Sequence, residues 1–191
     1  MTIRYSTVGI VGTGAMGRGI AQIAAQAGST VQLFDLNPEA CRQAHAAITA
    51  QWDKLQDKGR IDAATADAYK TRLQTAASLG DLHNCDLVVE AAVERLDIKQ
   101  SLFAQLEDIV RPDAVLVTNT SSLSVTAIAA GLKRPAQFAG YHFFNPVPLM
   151  KVVEVIAGLK TDAAVCAGLT EYARQMGHTP VQAQDTPGFI V

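Results

Sequence analysis

His142 and Glu154 are the residues of this sequence best suited to acid–base chemistry. His142 ends a predicted strand, just before Phe143-Phe-Asn-Pro146, where an imidazole can take up and return a proton near pH 7. Glu154 lies among valines in a second predicted strand, where a carboxylate is costly to bury unless it is paired. A pair between them would fix the imidazole tautomer and stabilise the imidazolium. The alternatives are a structural histidine and a glutamate on the exposed face of an edge strand.

A polar segment, Asn119-Thr-Ser-Ser122, follows another predicted strand. In open α/β sheets, ligands bind at the carboxyl ends of the strands, so these side chains are candidate ligand contacts. The alternative is that one of the serines caps the short helix predicted near Val125.

A glycine-rich loop lies between the first predicted strand and the first predicted helix. Its residues are Gly12, Thr13, Gly14, Ala15, Met16 and Gly17. The first glycine permits a tight turn, the second lets a pyrophosphate approach the backbone, and the third lets the helix pack closely on the sheet. The free N–H groups of the helix N-terminus then favour phosphate. This pattern predicts a dinucleotide site, although an ordinary tight turn has the same glycines.

Asp35 ends the second predicted strand, where a carboxylate can accept hydrogen bonds from both hydroxyls of an adenosine ribose. It would repel a 2′-phosphate, and no arginine stands beside it in the sequence. The predicted cofactor is therefore NAD and not NADP. The alternative is a solvated acid that caps the helix beginning at Asn37-Pro38.

Apolar strands alternate with helical patterns along the chain. This alternation predicts an α/β fold of the Rossmann type, with a doubly wound, mostly parallel sheet and helices on both faces. The predicted strands are 7–11, 30–34, 86–90, 114–118, 137–142, 152–156 and 179–183. The predicted helices are one ending at Gly28, then 37–58, 62–72, 97–110, a short one from Ser124, and 162–176.

Composition excludes several classes of protein. The chain has 191 residues, 49% of them hydrophobic, which is enough for one domain with a sizeable core. A net charge of −2 gives no attraction to nucleic acid or to an anionic membrane. The three cysteines are scattered, as in a reduced cytoplasmic protein, and no His or Cys spacing suggests a metal site. We also expect no membrane association, because no apolar run is long enough to span a bilayer.

Several motifs, in order along nearly the whole chain, resemble those of L-3-hydroxyacyl-CoA dehydrogenases. They are Gly9-Ile-Val-Gly-Thr-Gly-Ala-Met-Gly17, Val89-Glu-Ala-Ala-Val-Glu94, Asn119-Thr-Ser-Ser-Leu123, His142-Phe-Phe-Asn-Pro146, Lys151-Val-Val-Glu154 and Asp185-Thr-Pro-Gly-Phe-Ile-Val191. The resemblance implies oxidation of a (3S)-3-hydroxyacyl-CoA to the 3-oxoacyl-CoA with NAD, in fatty-acid or related acyl-CoA degradation.

The resemblance also implies roles for individual residues. His142 would take the hydroxyl proton, Glu154 would orient and charge His142, and Ser121 would contact substrate and nicotinamide. Cofactor contacts would include the glycine loop together with Asp35, Glu94, Lys99, Asn119, Ser121 and Asn145. Lys58, or the nearby Lys54, would hold the CoA phosphates. Gln51 stands where the family often has a serine that contacts CoA, so that contact is not expected here.

The same resemblance suggests that residues 1–184 form the NAD-binding domain and that 185–191 begin a connection to a helical C-terminal domain absent from this chain. That domain would make the parent protein a homodimer, and we expect this chain alone to be poorly active or inactive. Three alternatives remain: an NAD-binding module without activity, a structural protein recruited from this fold, and a dehydrogenase of free hydroxy acids or sugar acids.

Overall fold

The chain folds around one eight-stranded sheet in a computed structural model that describes residues 2–186 and 188–189. The strands are β1 (Thr7–Val11), β2 (Thr30–Phe34), β3 (Leu73–Thr75), β4 (Leu87–Glu90), β5 (Val115–Thr118), β6 (Phe138–Phe143), β7 (Val152–Ala157) and β8 (Thr179–Gln184). The helices are α1 (Ala15–Ala27), α2 (Pro38–Asp57), α3 (Ala63–Arg72), α4 (Leu96–Ile109), α5 (Val125–Ala129) and α6 (Ala163–Gln175). Part of the predicted connection, namely residues 187, 190 and 191, lies outside the described residues.

The strand order is β3-β2-β1-β4-β5-β6-β7-β8. Every neighbouring pair is parallel except β6 and β7, which are antiparallel. The order reverses beside β1, so the loops that follow β1 and β4 leave a crevice at the carboxyl edge of the sheet. The predicted doubly wound, mostly parallel sheet is therefore confirmed.

The central strands are buried on both faces. All four residues of β4 and of β5 are buried, which explains why they appear in the sequence as continuous apolar runs. Successive residues point to opposite faces: Val89 packs in the core under α1, α2 and α6, whereas Val88 packs in the core under α4 and α5. Helices consequently cover both faces, as predicted.

Side-chain caps fix where several helices begin. Asn37 accepts hydrogen bonds from the backbone N–H groups of Glu39 and Ala40, with a proline in the first turn of α2. Asp62 and Asp162 cap α3 and α6 in the same way. Gly28, with φ of 117°, ends α1 in the left-handed conformation. These boundaries agree with those predicted from the sequence.

Three short elements were not predicted. They are β3 and two 3-10 helices, Leu79–Asn84 and Pro135–Gln137. Only the first of the three β3 residues is buried, so the strand has no apolar alternation and owes its extended form to pairing with β2. Among the described residues, no helix combines the length and apolar character that crossing a bilayer requires.

The glycine loop supplies a stability test. A Cβ on Gly17 would lie 1.8 Å from the carbonyl oxygen of Gly12, whereas a Cβ on Gly14 would meet nothing within 4 Å. We expect Gly17→Ala to lower the free energy of unfolding by about 3 kcal/mol or more, because backbone must move. Gly14→Ala should cost no more than about 1 kcal/mol, the effect of alanine at a helix N-cap. Equal losses in urea unfolding of the two variants would contradict this packing.

Candidate active site

The carboxyl ends of β1, β4, β5 and β6 lie side by side and bring the predicted site residues together. Val11 pairs with Glu90, which pairs in turn with Thr118, so the loops after these strands share one edge. A cleft of about 380 Å³ opens there. Its lining includes Met16, Glu94, Lys99, Asn119, Ser121, His142 and Asn145. Seven of the predicted site residues therefore line one cavity.

His142 and Glu154 form the predicted pair. They are opposite each other in the antiparallel register of β6 and β7, and Nδ1 of His142 lies 2.7 Å from Oε2 of Glu154. The Glu154 side chain is 1% exposed and that of His142 is 12% exposed. Because β7 runs between β6 and β8, the alternative of an exposed edge-strand glutamate is wrong. With Nδ1 directed at the carboxylate, Nε2 is the nitrogen left for a reacting group.

Aromatic rings flank this histidine. The Phe144 ring centroid lies 4.6 Å from that of His142, and the Phe189 centroid lies 5.9 Å away. The other histidines do not line the cleft. His178 is buried, with its ring nitrogens near the carbonyl oxygens of Met176 and Val147.

The segment from Asn119 to Ser122 is held from two sides. Oδ1 of Asn119 accepts a hydrogen bond from the Phe143 N–H at 2.9 Å, which joins the ends of β5 and β6. Oε1 of Glu94 accepts from the Ser121 N–H at 3.0 Å and from the hydroxyl of Thr120. Burial opposes ionisation of Glu94, but these hydrogen bonds and the charge of Lys99 lower the pKa of its carboxyl. The helix cap is Ser124, which leaves Ser121 free of that role.

Glu90 is a residue of the site that the sequence reasoning missed. Its side chain is fully buried at the end of β4 and accepts from Lys99 Nζ at 2.6 Å, from Thr118 Oγ1 at 2.7 Å and from the Ala92 N–H at 2.7 Å. Lys99, 1% exposed, also lies 3.3 Å from Glu94. The signal was present, because Glu90 ends an apolar strand just as Glu154 lies within one.

The glycine loop borders a second cavity, of about 740 Å³, which Gly12, Thr13, Gly14 and Asp35 help to line. Oδ2 of Asp35 accepts from the backbone N–H and the hydroxyl of Thr13, and Oδ1 accepts from the Asn37 N–H. Burial opposes ionisation, but these bonds lower the pKa of Asp35. Asn37, not Asp35, caps α2, so the capping alternative for Asp35 is wrong.

These features fit a dinucleotide. Gly14 exposes its backbone to open space where a pyrophosphate would approach, and the Asp35 carboxylate stands where a ribose would lie. No lysine or arginine in the described part of the chain forms an ion pair with Asp35, so nothing there offsets its repulsion of a 2′-phosphate.

Lys54 and Lys58 do not line the cleft. Both are exposed, on the last turn of α2 and directly after it. Within the described residues, no group of three His, Cys, Asp or Glu side chains could hold a metal ion. Cys41 and Cys85 are buried and Cys166 is half-buried, all as free thiols.

Comparisons with known proteins agree with this geometry. Residues 7–186 match the model of the 3-hydroxyacyl-CoA dehydrogenase NAD binding domain. The chain is 46% identical over its whole length to 3-hydroxyadipyl-CoA dehydrogenase of Escherichia coli, covering 40% of that protein. It is 45% identical over 95% of its length to a probable 3-hydroxybutyryl-CoA dehydrogenase of Deinococcus radiodurans, covering 65% of it. The chain thus spans between two fifths and two thirds of the length of these relatives.

Solved structures show the same relationship. The crystal structure of (S)-3-hydroxybutyryl-CoA dehydrogenase from Ralstonia eutropha superposes with a TM-score of 0.93 at 38% identity, and the match covers all of this chain and 66% of that one. Because the family model spans nearly the whole chain, the cofactor is NAD, and the chain belongs to the family of NAD-binding domains of 3-hydroxyacyl-CoA dehydrogenases.

Proposed function

We propose that this chain supplies the catalytic residues of an enzyme that oxidises a (3S)-3-hydroxyacyl-CoA to the 3-oxoacyl-CoA. The observation that carries the proposal is the contact of 2.7 Å between His142 and the buried Glu154, at the wall of a cleft that Ser121, Asn119 and Asn145 also line. A buried carboxylate behind a cleft histidine is the arrangement that a general base requires. The names of the relatives, which include 3-hydroxyadipyl-CoA and 3-hydroxybutyryl-CoA dehydrogenases, support an acyl-CoA substrate.

His142 would accept the proton of the 3-hydroxyl at Nε2 as the carbonyl forms. Glu154 would hold Nδ1–H and stabilise the imidazolium that results. NAD, when bound, supplies the acceptor for the hydride that leaves C3 of the substrate. Ser121 and Asn119 would orient the substrate oxygen and the nicotinamide, since both line the cleft beside His142. One proton and one hydride thus leave the alcohol together.

The other predicted contacts divide between cofactor and substrate. Gly12 to Gly17 and Asp35 would hold the pyrophosphate and the adenosine ribose, and Asn145 would meet the nicotinamide end of the cleft. Glu94 and Lys99 would make fewer direct contacts with the cofactor. They already contact each other, and Glu94 also accepts a hydrogen bond from the Ser121 N–H. Lys54 and Lys58, which are exposed at the end of α2 and directly after it, would bind the CoA phosphates.

We propose that residues 1–184 form the NAD-binding domain and that 185–191 begin a connection to a helical domain. We also propose that the parent protein is a cytoplasmic homodimer, and that it acts on a small-molecule acyl-CoA and binds no nucleic acid. Asp185 supports this boundary, since its carboxylate accepts hydrogen bonds from the Val125 and Thr126 N–H groups and so anchors the chain after β8.

The first test separates catalysis from cofactor binding. In the parent enzyme that contains this chain, we expect His142→Gln and Glu154→Gln to lower kcat for reduction of acetoacetyl-CoA by NADH by about 100- to 10,000-fold, the usual range of general acid–base help. NADH affinity, measured by calorimetry on the same samples, should change less than about threefold, because neither residue lines the adenosine cavity. His83→Gln, on the surface, is the matched control. Parallel losses of turnover and NADH affinity would refute the catalytic roles. NADH binding without turnover in the unaltered parent enzyme would favour the inactive module.

The second test concerns the cofactor. We expect Asp35→Asn to weaken NAD binding by about 10- to 100-fold, the value of hydrogen bonds to a charged acceptor. NADP binding should weaken less or improve, because the repelling charge is gone. Titrating both dinucleotides against the variant gives the ratio of affinities directly. An unchanged ratio would remove Asp35 from cofactor selection.

The third test concerns the buried pair behind Ser121. Lys99→Met leaves Glu90 buried without its cation, so we expect the free energy of unfolding to fall by about 3–5 kcal/mol. The double variant Glu90→Gln with Lys99→Met removes both charges and should recover most of that loss. Chemical denaturation of the two variants side by side makes the comparison. A double variant no more stable than the single one would show that the charge is not the cause.

A further inference from the structure

Two carboxylates and one lysine contact each other at the wall of the cleft. Nζ of Lys99 lies 2.6 Å from Oε1 of Glu90 and 3.3 Å from Oε2 of Glu94. The Glu90 and Lys99 side chains are 0% and 1% exposed, whereas that of Glu94 is 38% exposed and reaches the cleft. These three residues, here called the Glu-Lys-Glu cluster, hold two negative charges against one positive charge. The cluster therefore carries one negative charge in excess.

No second cation among the described residues neutralises this excess. Arg95 follows Glu94 in the sequence, but its Nη2 lies 2.7 Å from Oδ2 of Asp97, and both of these side chains are exposed. Across the ion pairs of the described part of the chain, Lys99 is the only cation that contacts either carboxylate of the cluster. Burial opposes ionisation of Glu94, but its hydrogen bonds and the charge of Lys99 lower the pKa of the carboxyl, so Glu94 is ionised at neutral pH.

Glu90 differs from Glu94 in its relation to a bound molecule. It lines neither the cleft nor the adenosine cavity. Besides Lys99, its oxygens accept hydrogen bonds from the Thr118 hydroxyl and the Ala92 N–H, which are neutral donors. A cofactor in the cleft would not touch Glu90 but would still feel its charge, because a charge inside the protein is screened less than one in water. Glu90 therefore separates the effect of charge on the cofactor from the effect of direct contact.

We propose that the excess negative charge of the Glu-Lys-Glu cluster raises the affinity of the cleft for the oxidised cofactor, NAD⁺, relative to NADH. This inference rests on the proposed function, which places the nicotinamide in the cleft. The nicotinamide ring is positively charged in NAD⁺ and neutral in NADH, while the phosphates and the adenosine of the two molecules are the same. The ratio of their affinities therefore isolates the charge near the ring, and a negative cluster favours the charged form.

The same charge suits both ends of the proposed reaction. Two electrons leave C3 of the substrate with the hydride and neutralise the nicotinamide ring, while the hydroxyl proton passes to Nε2 of His142. The positive charge thus moves from the ring to the imidazole, and the total charge in the cleft does not change. A negative cluster at the wall of the cleft stabilises that positive charge before and after the transfer, so the protein does not have to reorganise its own charges during the step.

The affinities of the parent enzyme for NAD⁺ and NADH, titrated at one pH without acyl-CoA, test the proposal. Glu94→Gln and Glu90→Gln should each lower the affinity for NAD⁺ relative to NADH by about threefold or more, because either change brings the cluster to zero net charge. The double variant Glu90→Gln with Lys99→Met keeps one negative charge, on Glu94, and should leave the ratio within about twofold of that of the unaltered enzyme. Asp108→Asn, which removes an exposed carboxylate at the other end of α4, is the matched control and should not change the ratio.

Three results would overturn the proposal. They are an unchanged ratio in Glu94→Gln, a shift in the double variant as large as that in Glu94→Gln, and an equal shift in Asp108→Asn. Glu94→Gln changes a partly exposed residue and the double variant leaves no buried charge unpaired, so these two variants decide the matter even if Glu90→Gln alone does not fold. Failure of the proposed function would look different. In that case the ratio would shift as expected, but the unaltered parent enzyme would not reduce acetoacetyl-CoA with NADH.

Discussion

Two carboxylates buried inside the sheet, Glu90 and Glu154, constrain the rest of the site. A buried carboxylate is stable only where cations or hydrogen-bond donors surround it. Glu90 therefore requires Lys99 and Thr118 at its oxygens, and Glu154 requires His142. These partners come from α4, β5 and β6, so the two acids fix how three elements meet at the carboxyl edge. The positions of the residues around the cleft therefore depend on the hydrogen bonds and ion pairs that these two buried carboxylates need.

Local sequence patterns were sufficient for most of the fold and for the prediction that His142 and Glu154 pair. Asn37, Asp62 and Gly28 mark helix ends through contacts only a few residues away, so they can be found without the tertiary structure. The valines beside Glu154 indicated burial and hence a partner. The antiparallel register that places His142 opposite Glu154 depends on the path of the intervening loop, which no local pattern encodes.

Long-range contacts account for what the sequence did not predict. Lys99 lies in the first turn of α4, close to polar residues in the sequence, yet it is buried and its Nζ lies 2.6 Å from Glu90. β3 is extended only because β2 offers it a pairing edge. The cavity of about 480 Å³ between α1, α2 and the segment 145–149 is formed by elements that are distant in sequence, so its volume could not be foreseen.

One carboxyl edge of the sheet brings together two cavities of different character. The adenosine cavity and the cleft meet at Ala91 and Ala92, which line both. The cavity at Asp35 carries a negative charge that suits ribose hydroxyls, whereas the cleft contains His142, whose Nδ1 already faces Glu154. A dinucleotide that spans the two cavities would therefore be held at one end by a carboxylate and would present its other end to the histidine. Two relatives named for different acyl groups, 3-hydroxyadipyl and 3-hydroxybutyryl, match this chain at 46% and 45% identity. Similarity over these residues therefore does not distinguish acyl groups.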